Sequence, residues 1–225
     1  RIRDHLRRFD KIVAVSQGLK EICVSDFGIS DKKIRVLKNA VDSRDFFPRD
    51  RISIRKKLGL PISGVIGISV GSFDSRKGYK EFQKIAEHIE GFSMIYIGSG
   101  PQRPEGGNVL YAGEVLHSEV PDWLSAADVF IHPSIAEGSS NAILEAAACG
   151  LPVIARDIQS NREILDEKNA ILVKGDSREE FGSAIKMLME DRDQRNVLGI
   201  SAKETSEQYT IDHRASDFME WMNSI

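Results

Sequence analysis

The chain has 225 residues, of which 41% are hydrophobic and 29% are charged, and its formal net charge is −3. These values indicate a globular protein with an ordinary charged surface, and they exclude the general basic footprint that nucleic-acid binding requires. No apolar run approaches the ~20 residues that span a bilayer. Neither Cys23 nor Cys149 has metal-ligand spacing. Because free thiols fit a reducing compartment, we expect a cytoplasmic protein. The net charge predicts no nucleic-acid partner.

The first 37 residues predict a single βαβ unit, which is too small to stand as a domain. A buried strand at 11–16 (KIVAVS) is followed by a helix and by a second strand at 34–37 (IRVL). Residues 38–60 then lose any regular pattern around proline and glycine, which predicts a linker. Because the chain begins with Arg1 and not with methionine, we expect it to be a piece of a longer protein.

A main α/β domain is predicted for residues 61–208, with a final helix within 209–225. Near-continuous apolar strands that alternate with helical stretches indicate a parallel sheet covered on both faces, in a Rossmann-like doubly wound fold. The six predicted strands are residues 65–70, 94–97, 109–112, 129–132, 153–155 and 170–173.

The fold predicts where a ligand should bind. In the common strand order 3-2-1-4-5-6 the chain reverses direction between strands 1 and 4, and ligands bind at the carboxyl ends of those strands. The loops at 71–78 and 133–141 are therefore the candidates.

The first loop, GSFDSRKG, combines glycine with basic residues directly before a helix. Gly71 would let the backbone approach a ligand, and Lys77 would supply a positive charge for a phosphate. Taken alone, a basic turn after a strand is also typical of a solvated loop.

The second loop, within HPSIAEGSSNAILEAAACGLP, carries the stronger signal. Gly138 to Asn141 form a small-residue turn before a helix, whose free N–H groups would bind an anion. Glu137 precedes the turn, and Glu145 lies just over a turn inside the helix. A carboxylate beside a phosphate is expected to accept hydrogen bonds from ribose or hexose hydroxyls. The alternative is helix capping plus a surface charge.

At these residues the chain resembles the retaining glycosyltransferases of family 4, which have the GT-B fold. In that family a glutamate, seven residues and a second glutamate mark the donor site, matched here by Glu137 and Glu145. The resemblance covers nearly the whole chain, from AVSQGLK to the last helix. Further matches are SAADVFIHPS, EAAACGLPVIARD, GSGP at 98–101, NAVD at 39–42 and Lys77-Gly78.

The resemblance implies a role for each residue of the donor site. Glu137 would contact the 3- and 4-hydroxyls of the transferred sugar, Glu145 would accept both ribose hydroxyls, and Lys77 would neutralise the diphosphate. Glu137 and Lys77 are the catalytic candidates. The donor-binding candidates are Gly71, Arg76, Lys77, Gly98, Val115, Glu137, Gly138, Ser139, Ser140, Asn141, Ala142 and Glu145.

Backbone groups are also assigned by the resemblance. The amides of Ser139 and Ser140 would hold the sugar, those of Asn141 and Ala142 the β-phosphate, and loops near Gly98 and Val115 would frame the base.

Two departures from the family pattern stand out. Ser72 occupies the position of an arginine that normally pairs with the lysine, and Arg76 is the candidate to replace it. Ser139-Ser140 stands where an aromatic residue and a glycine are common.

The resemblance implies retaining transfer of a hexose from a nucleoside-diphosphate sugar, with UDP favoured, to a saccharide or lipid-linked acceptor in polysaccharide biosynthesis. It also implies that no metal or other cofactor is required. Residues 1–37 would be the last unit of an N-terminal acceptor domain, so this chain alone would be an incomplete, inactive enzyme. A peripheral contact with the inner face of the membrane is also implied.

Three alternatives remain at this point. A nucleotide-sugar epimerase of GT-B fold and a non-catalytic nucleotide-sugar-binding subunit share the same site. An NAD-dependent oxidoreductase is disfavoured because Arg103 replaces the third glycine of its fingerprint. His132 is interpreted as a core or bracing residue, and Asp191-Arg192-Asp193 as a turn and not a metal site.

Overall fold

The computed structural model describes residues 2–175 and 178–223, and within these residues eight strands form two parallel sheets. The strands are β1 (Ile12–Ala14), β2 (Ile34–Val36), β3 (Val65–Val70), β4 (Phe92–Ile97), β5 (Val109–Gly113), β6 (Val129–His132), β7 (Val153–Arg156) and β8 (Ala170–Val173). The helices are α1 (Ile2–Leu6), α2 (Gln17–Ser25), α3 (Arg51–Leu58), α4 (Tyr79–Ala86), α5 (Val120–Ala126), α6 (Asn141–Ala148), α7 (Gln159–Arg162), α8 (Arg178–Glu190), α9 (Arg192–Ser206) and α10 (Ile211–Asn223).

The main sheet has the strand order β5-β4-β3-β6-β7-β8, and its neighbouring strands pair in parallel. This is the predicted order 3-2-1-4-5-6, so the Rossmann-like fold class is confirmed. In the register of the central strand, Ile68 lies beside Ile95 on β4 and beside Phe130 on β6. The chain therefore reverses direction at β3, where a crevice forms at the carboxyl ends of the strands.

Both faces of the main sheet are buried, which explains the near-continuous apolar strands. Ile68 belongs to a core cluster with Ile143 of α6 on one face. Met94 and Ile131 belong to a second cluster with Phe82 of α4 on the other face. Alternate residues of the strands thus pack against helices on opposite sides.

The stretch predicted as a linker contains the helix α3, which the sequence pattern did not predict. Asp50 caps this helix by accepting a hydrogen bond from the Ser53 amide at 2.8 Å, and Gly59 ends it in the left-handed conformation with φ 67°. These two residue types are ordinary helix start and stop signals. Arg55 of α3 is buried and bonds Asp128, which ties the helix to the main domain.

The N-terminal residues form the predicted βαβ unit, since β1 and β2 pair in parallel with Ile12 beside Ile34. The final helix α10 returns towards this unit, and the Lys11 Nζ atom lies 5.6 Å from the centre of the Trp221 ring. The proposed division of the chain at residues 37, 60 and 208 stays a prediction. Among the described residues, no helix is long and apolar enough to cross a bilayer.

Candidate donor-binding site

The two loops nominated by the strand order lie against each other. β3 and β6 are neighbours, and the Ile135 amide donates a hydrogen bond to the Arg76 carbonyl at 2.8 Å. Gly78 has φ 68°, and a Cβ atom there would lie 2.8 Å from the Pro133 carbonyl oxygen. The close approach of the loops therefore requires glycine at this position.

Lys77 and Glu137 form an ion pair across these two loops. The Lys77 Nζ atom lies 2.5 Å from the Glu137 Oε1 atom, and the two side chains are 16% and 13% exposed. Burial alone would raise the pKa of Glu137, but the adjacent His132 ring and the Lys77 ammonium outweigh it and lower that pKa to about 2. Glu137 is therefore ionised near neutral pH and can only accept hydrogen bonds.

His132 lies beneath this pair. Its side chain is fully buried, and its Nε2 atom is 3.3 Å from the same Glu137 oxygen. Within the described residues, neither ring nitrogen has a hydrogen-bond partner of good geometry. Burial lowers the pKa of His132 although Glu137 opposes this, which favours the neutral ring. This position fits the interpretation of His132 as a brace for Glu137.

The start of α6 presents unpaired backbone donors. Ser140 caps the helix, and its hydroxyl accepts a hydrogen bond from the Ile143 amide at 3.4 Å. In the part of the chain that the structure describes, the amides of Ser139, Ser140, Asn141 and Ala142 donate no hydrogen bond. Such amides, together with the helix dipole, favour an anion at this end.

Glu145 is half-buried on the second turn of α6, and its carboxylate forms no hydrogen bond or ion pair with any described residue. Burial raises its pKa, and the electrostatic effect of His117 only partly opposes this. A partly desolvated carboxylate without a donor is destabilising unless a ligand supplies hydrogen bonds.

Hydrogen bonds between backbone groups join the loops at the ends of β3, β4 and β5. The Gly71 amide donates to the Ile97 carbonyl at 2.9 Å, and the Gly98 amide donates to the Gly113 carbonyl at 2.8 Å. A Cβ atom on Gly98 would lie only 2.0 Å from the Gly71 carbonyl oxygen. Val115, which follows β5, is half-buried against the core. The structure thus brings Gly71, Gly98 and Val115 to one edge of the sheet.

This edge, built by the loops at 71–78, 98–101, 113–116 and 133–145, is called the donor edge below.

Arg76, the candidate to replace the arginine that is absent at position 72, pairs with Asp74 in the structure, and its role stays a prediction. Its Nη2 atom pairs with Asp74 Oδ2 at 3.1 Å, and its side chain is 70% exposed. The Ser72 hydroxyl donates to the same carboxylate oxygen at 2.7 Å. Lys77 is therefore the basic side chain of the first loop that faces the second loop.

Residues before the main domain also support the second loop, and sequence patterns did not reveal this. The Asn39 side-chain amide donates to the Ser139 carbonyl at 3.3 Å. A Cβ atom on Gly138 would lie 3.2 Å from the Leu19 side chain of α2. The NAVD motif at 39–42 was the available signal for Asn39; the contact of α2 had none.

Among the described residues, no three His, Cys, Asp or Glu side chains are grouped to hold a metal ion. Asp191 of the Asp-Arg-Asp sequence caps α9 by accepting a hydrogen bond from the Gln194 amide at 2.8 Å.

Comparisons with known proteins agree with this fold. A family model described as glycosyl transferases group 1 matches residues 65–191, which is more than half of the chain. The D-inositol 3-phosphate glycosyltransferase of Xylanimonas cellulosilytica is 27% identical over 94% of this chain and 56% of its own length. The chain spans about half the length of such curated relatives.

Two solved structures have closely similar folds. Sucrose-phosphate synthase from Thermosynechococcus elongatus has a TM-score of 0.85 at 23% identity, covering 99% of this chain and 60% of that one. Anabaena HepE, solved in complex with UDP and glucose, has a TM-score of 0.87 at 18% identity, covering 99% and 65%. These two structures agree with the fold, and the family match over residues 65–191 shows that this chain belongs to the group 1 glycosyl transferases.

Proposed function

We propose that this chain is the donor-binding part of a retaining glycosyltransferase, which transfers a hexose from a nucleoside-diphosphate sugar to a saccharide or lipid-linked acceptor. The observation that carries the proposal is the start of α6. Its four unpaired amides lie between Glu137, which is paired with Lys77, and the unpartnered Glu145. An anion binds at such amides, and hydroxyl groups on either side of it satisfy the two carboxylates.

The diphosphate occupies the middle of this arrangement. The amides of Asn141 and Ala142 point to the β-phosphate, and Lys77 neutralises it. As the bond to the sugar breaks, negative charge develops on the diphosphate, and fixed N–H groups and an ammonium stabilise it. The chain's own residues supply this stabilisation, so the proposal requires no metal.

Glu137 and Glu145 bind different parts of the donor. Glu137 is ionised and adjoins Lys77, so it accepts hydrogen bonds from the hexose hydroxyls beside the reacting bond. Glu145 lies deeper along α6 and accepts from the ribose hydroxyls. UDP is the favoured nucleotide, which the UDP held by the similarly folded HepE supports. Retention of configuration rests on the family resemblance.

The acceptor domain would be the part of the enzyme outside these 225 residues. Large apolar side chains are exposed on the N-terminal unit, among them Ile2, Phe9, Val13 and Ile22, at 37–67%. This apolar surface supports a further domain that packs there and completes the acceptor pocket. Without that domain the reactants are not held together, a contribution of up to about 7–11 kcal/mol to catalysis. The 225-residue chain should therefore bind nucleotide and transfer no sugar.

Calorimetric titration with UDP and UDP-glucose tests the assignment of the two glutamates. Glu145→Ala should weaken binding of both ligands by about 1.5–3 kcal/mol, because the ribose is common to them. Glu137→Ala should leave UDP affinity unchanged while it lowers transfer by the enzyme with its acceptor domain. Glu204→Ala, an exposed glutamate on α9, is the matched control. Unchanged UDP affinity in a folded Glu145→Ala variant would contradict the proposal.

A further inference from the structure

A cavity of about 620 Å³ lies at the edge of the sheet opposite the donor edge. Residues from 48–52, 125–128, 149–152 and 192–203 line it. Asp128 and Pro152 directly precede β6 and β7, so the cavity adjoins the amino ends of these strands. The donor edge lies at the carboxyl ends of the same parallel strands. The cavity is therefore separate from the proposed nucleotide site.

Cationic side chains dominate this cavity. In the described part of the chain, five of them and the single carboxylate of Asp128 line it. The cationic residues are Arg49, Arg51, Arg192, Arg195 and Lys203. This set is called the basic cavity below.

Two carboxylates near the basic cavity are each shared between two cations. Asp128 accepts from Arg51 at 2.6 Å and from Arg55 at 2.5 Å. Asp122 accepts from Lys57 at 2.6 Å and also pairs with Arg49. Each of these two groups, one around Asp128 and one around Asp122, therefore carries a net positive charge.

Two arginines of α9 add to this surplus. Arg195 donates to the carbonyl oxygens of Leu188 and Met189 at the end of α8, at 3.0 Å for Met189, and has no carboxylate partner in the described residues. The Arg192 side chain forms no hydrogen bond or ion pair within residues 2–175 and 178–223. Among the described residues, Lys203 pairs only with the exposed Glu207.

The local charge is opposite to that of the whole chain. Of the described residues that line the basic cavity, five carry a cationic side chain and one, Asp128, carries a carboxylate, in a chain with a net charge of −3. Two polar atoms of lining residues, Arg49 Nε and Ser125 Oγ, are also buried without a hydrogen-bond partner among the described residues. Both features are expected of a site that an anionic ligand completes.

We propose that the basic cavity binds a phosphate-bearing ligand that is distinct from the nucleotide at the donor edge. Guanidinium groups match phosphate oxygens in a bidentate geometry, and the cavity volume falls within the range of small-molecule sites. Two sources share this chemistry: a soluble phosphorylated metabolite and the headgroup of an anionic phospholipid. A ligand here would join the 48–52 segment to α9.

The test uses inorganic pyrophosphate, titrated by calorimetry with the donor edge saturated by UDP. Arg192→Gln combined with Lys203→Gln should weaken this binding roughly tenfold, since it removes two charges that directly face the cavity. Lys80→Gln combined with Lys84→Gln changes the same charge on α4 and should have no effect. Loss of binding in both double variants, or in neither, overturns the proposal, as does an unmodified chain that binds no pyrophosphate.

Two further arms complete the test. Lys77→Gln should weaken UDP binding and leave pyrophosphate binding at the basic cavity intact, so failure of the donor site and failure of this site are distinguishable. Sedimentation with vesicles of equal parts phosphatidylcholine and phosphatidylglycerol identifies the source. Binding that Arg192→Gln with Lys203→Gln abolishes assigns the lipid headgroup, and pyrophosphate binding without vesicle binding assigns a soluble ligand.

Discussion

Glu137 and Glu145 lie eight positions apart in the same loop and helix, yet their surroundings shift their pKa values in opposite directions. Lys77 and His132 outweigh burial at Glu137 and lower its pKa to about 2, whereas burial without a cation raises the pKa of Glu145. Shifts of opposite sign within one crevice are typical of functional sites. The ionised Glu145 carboxylate therefore destabilises the folded chain when no ligand is bound.

Replacing Glu145 by Gln should stabilise the free chain and weaken UDP binding. The folded-state pKa of Glu145 lies above its ordinary value of 4.5. The free energy of unfolding of the unmodified chain therefore falls as the pH rises from 4.5 through the folded-state pKa. The gain in melting temperature should appear near neutral pH and vanish below the ordinary glutamate pKa. Thermal melts at both conditions measure it, with Glu204→Gln as control. A destabilised Glu145→Gln variant at neutral pH would contradict this account.

The sequence predicted that Glu137, Glu145 and Lys77 belong to the site, but it did not predict the ion pair between Lys77 and Glu137. The motif and the strand order located each residue on its loop, because both are local or topological properties. The Lys77–Glu137 ion pair joins residues 60 positions apart. It depends on side-chain packing between two loops, which no single-sequence pattern encodes. The interaction of Arg76 with Asp74 has the same origin.

At the scale of elements, close backbone contacts position the donor edge. Gly98 has φ 145° and lies against the Gly71 carbonyl, and Gly100 has φ 145° and lies against Phe73. Bonds between these loops, such as the one from the Phe73 amide to the Ser99 carbonyl at 2.7 Å, hold the first loop in place. Glycine at positions 98 and 100 therefore allows the first loop to pack at the donor edge, in addition to forming the turn itself.

Gly98→Ala should therefore destabilise the chain by about 2–4 kcal/mol and weaken UDP binding further than lost stability explains. The added Cβ would overlap the Gly71 carbonyl at 2.0 Å. Gly107→Ala is the matched control, because it has no heavy atom within 4 Å of its Cβ position and no left-handed backbone. Urea unfolding and UDP calorimetry on both variants measure the effect. Equal stability of the two variants would show that the loops are not packed as described.

The sequence of helix α3, RISIRKKL, is half charged and places only Ile54 and Leu58 together on an inner face, so apolar periodicity did not predict it. It is held by a buried charge pair instead, since Arg55 and Asp128 have side chains only 3% and 7% exposed. Arg55→Met should cost about 3–5 kcal/mol, because it removes the buried partner of Asp128 and also the donor to the buried Ala126 carbonyl. Arg51→Met removes the half-exposed partner of the same carboxylate and should cost about 1 kcal/mol or less. Urea unfolding with equal losses for the two variants would contradict a structural role for α3.

At the scale of the whole molecule, the N-terminal unit and the main domain are joined at a few polar contacts. The Glu163 carboxylate accepts from the Gln17 amide at 2.9 Å at the start of α2, and its carbonyl accepts from Lys38 Nζ at 2.7 Å. The fold class, strand order and nominated loops could be predicted, because they follow from strand periodicity and topology. These joining contacts could not, because each links residues more than a hundred positions apart.

The central claim is that a nucleoside diphosphate binds at the donor edge, and its most direct test is a titration of the ¹⁵N-labelled chain with UDP. Two-dimensional amide spectra should shift at Ser139, Ser140, Asn141 and Ala142 and at Gly71, equally with and without EDTA. Amides of residues lining the basic cavity should stay unchanged. Unshifted amides at the start of α6, or shifts confined to the basic cavity, would contradict the account.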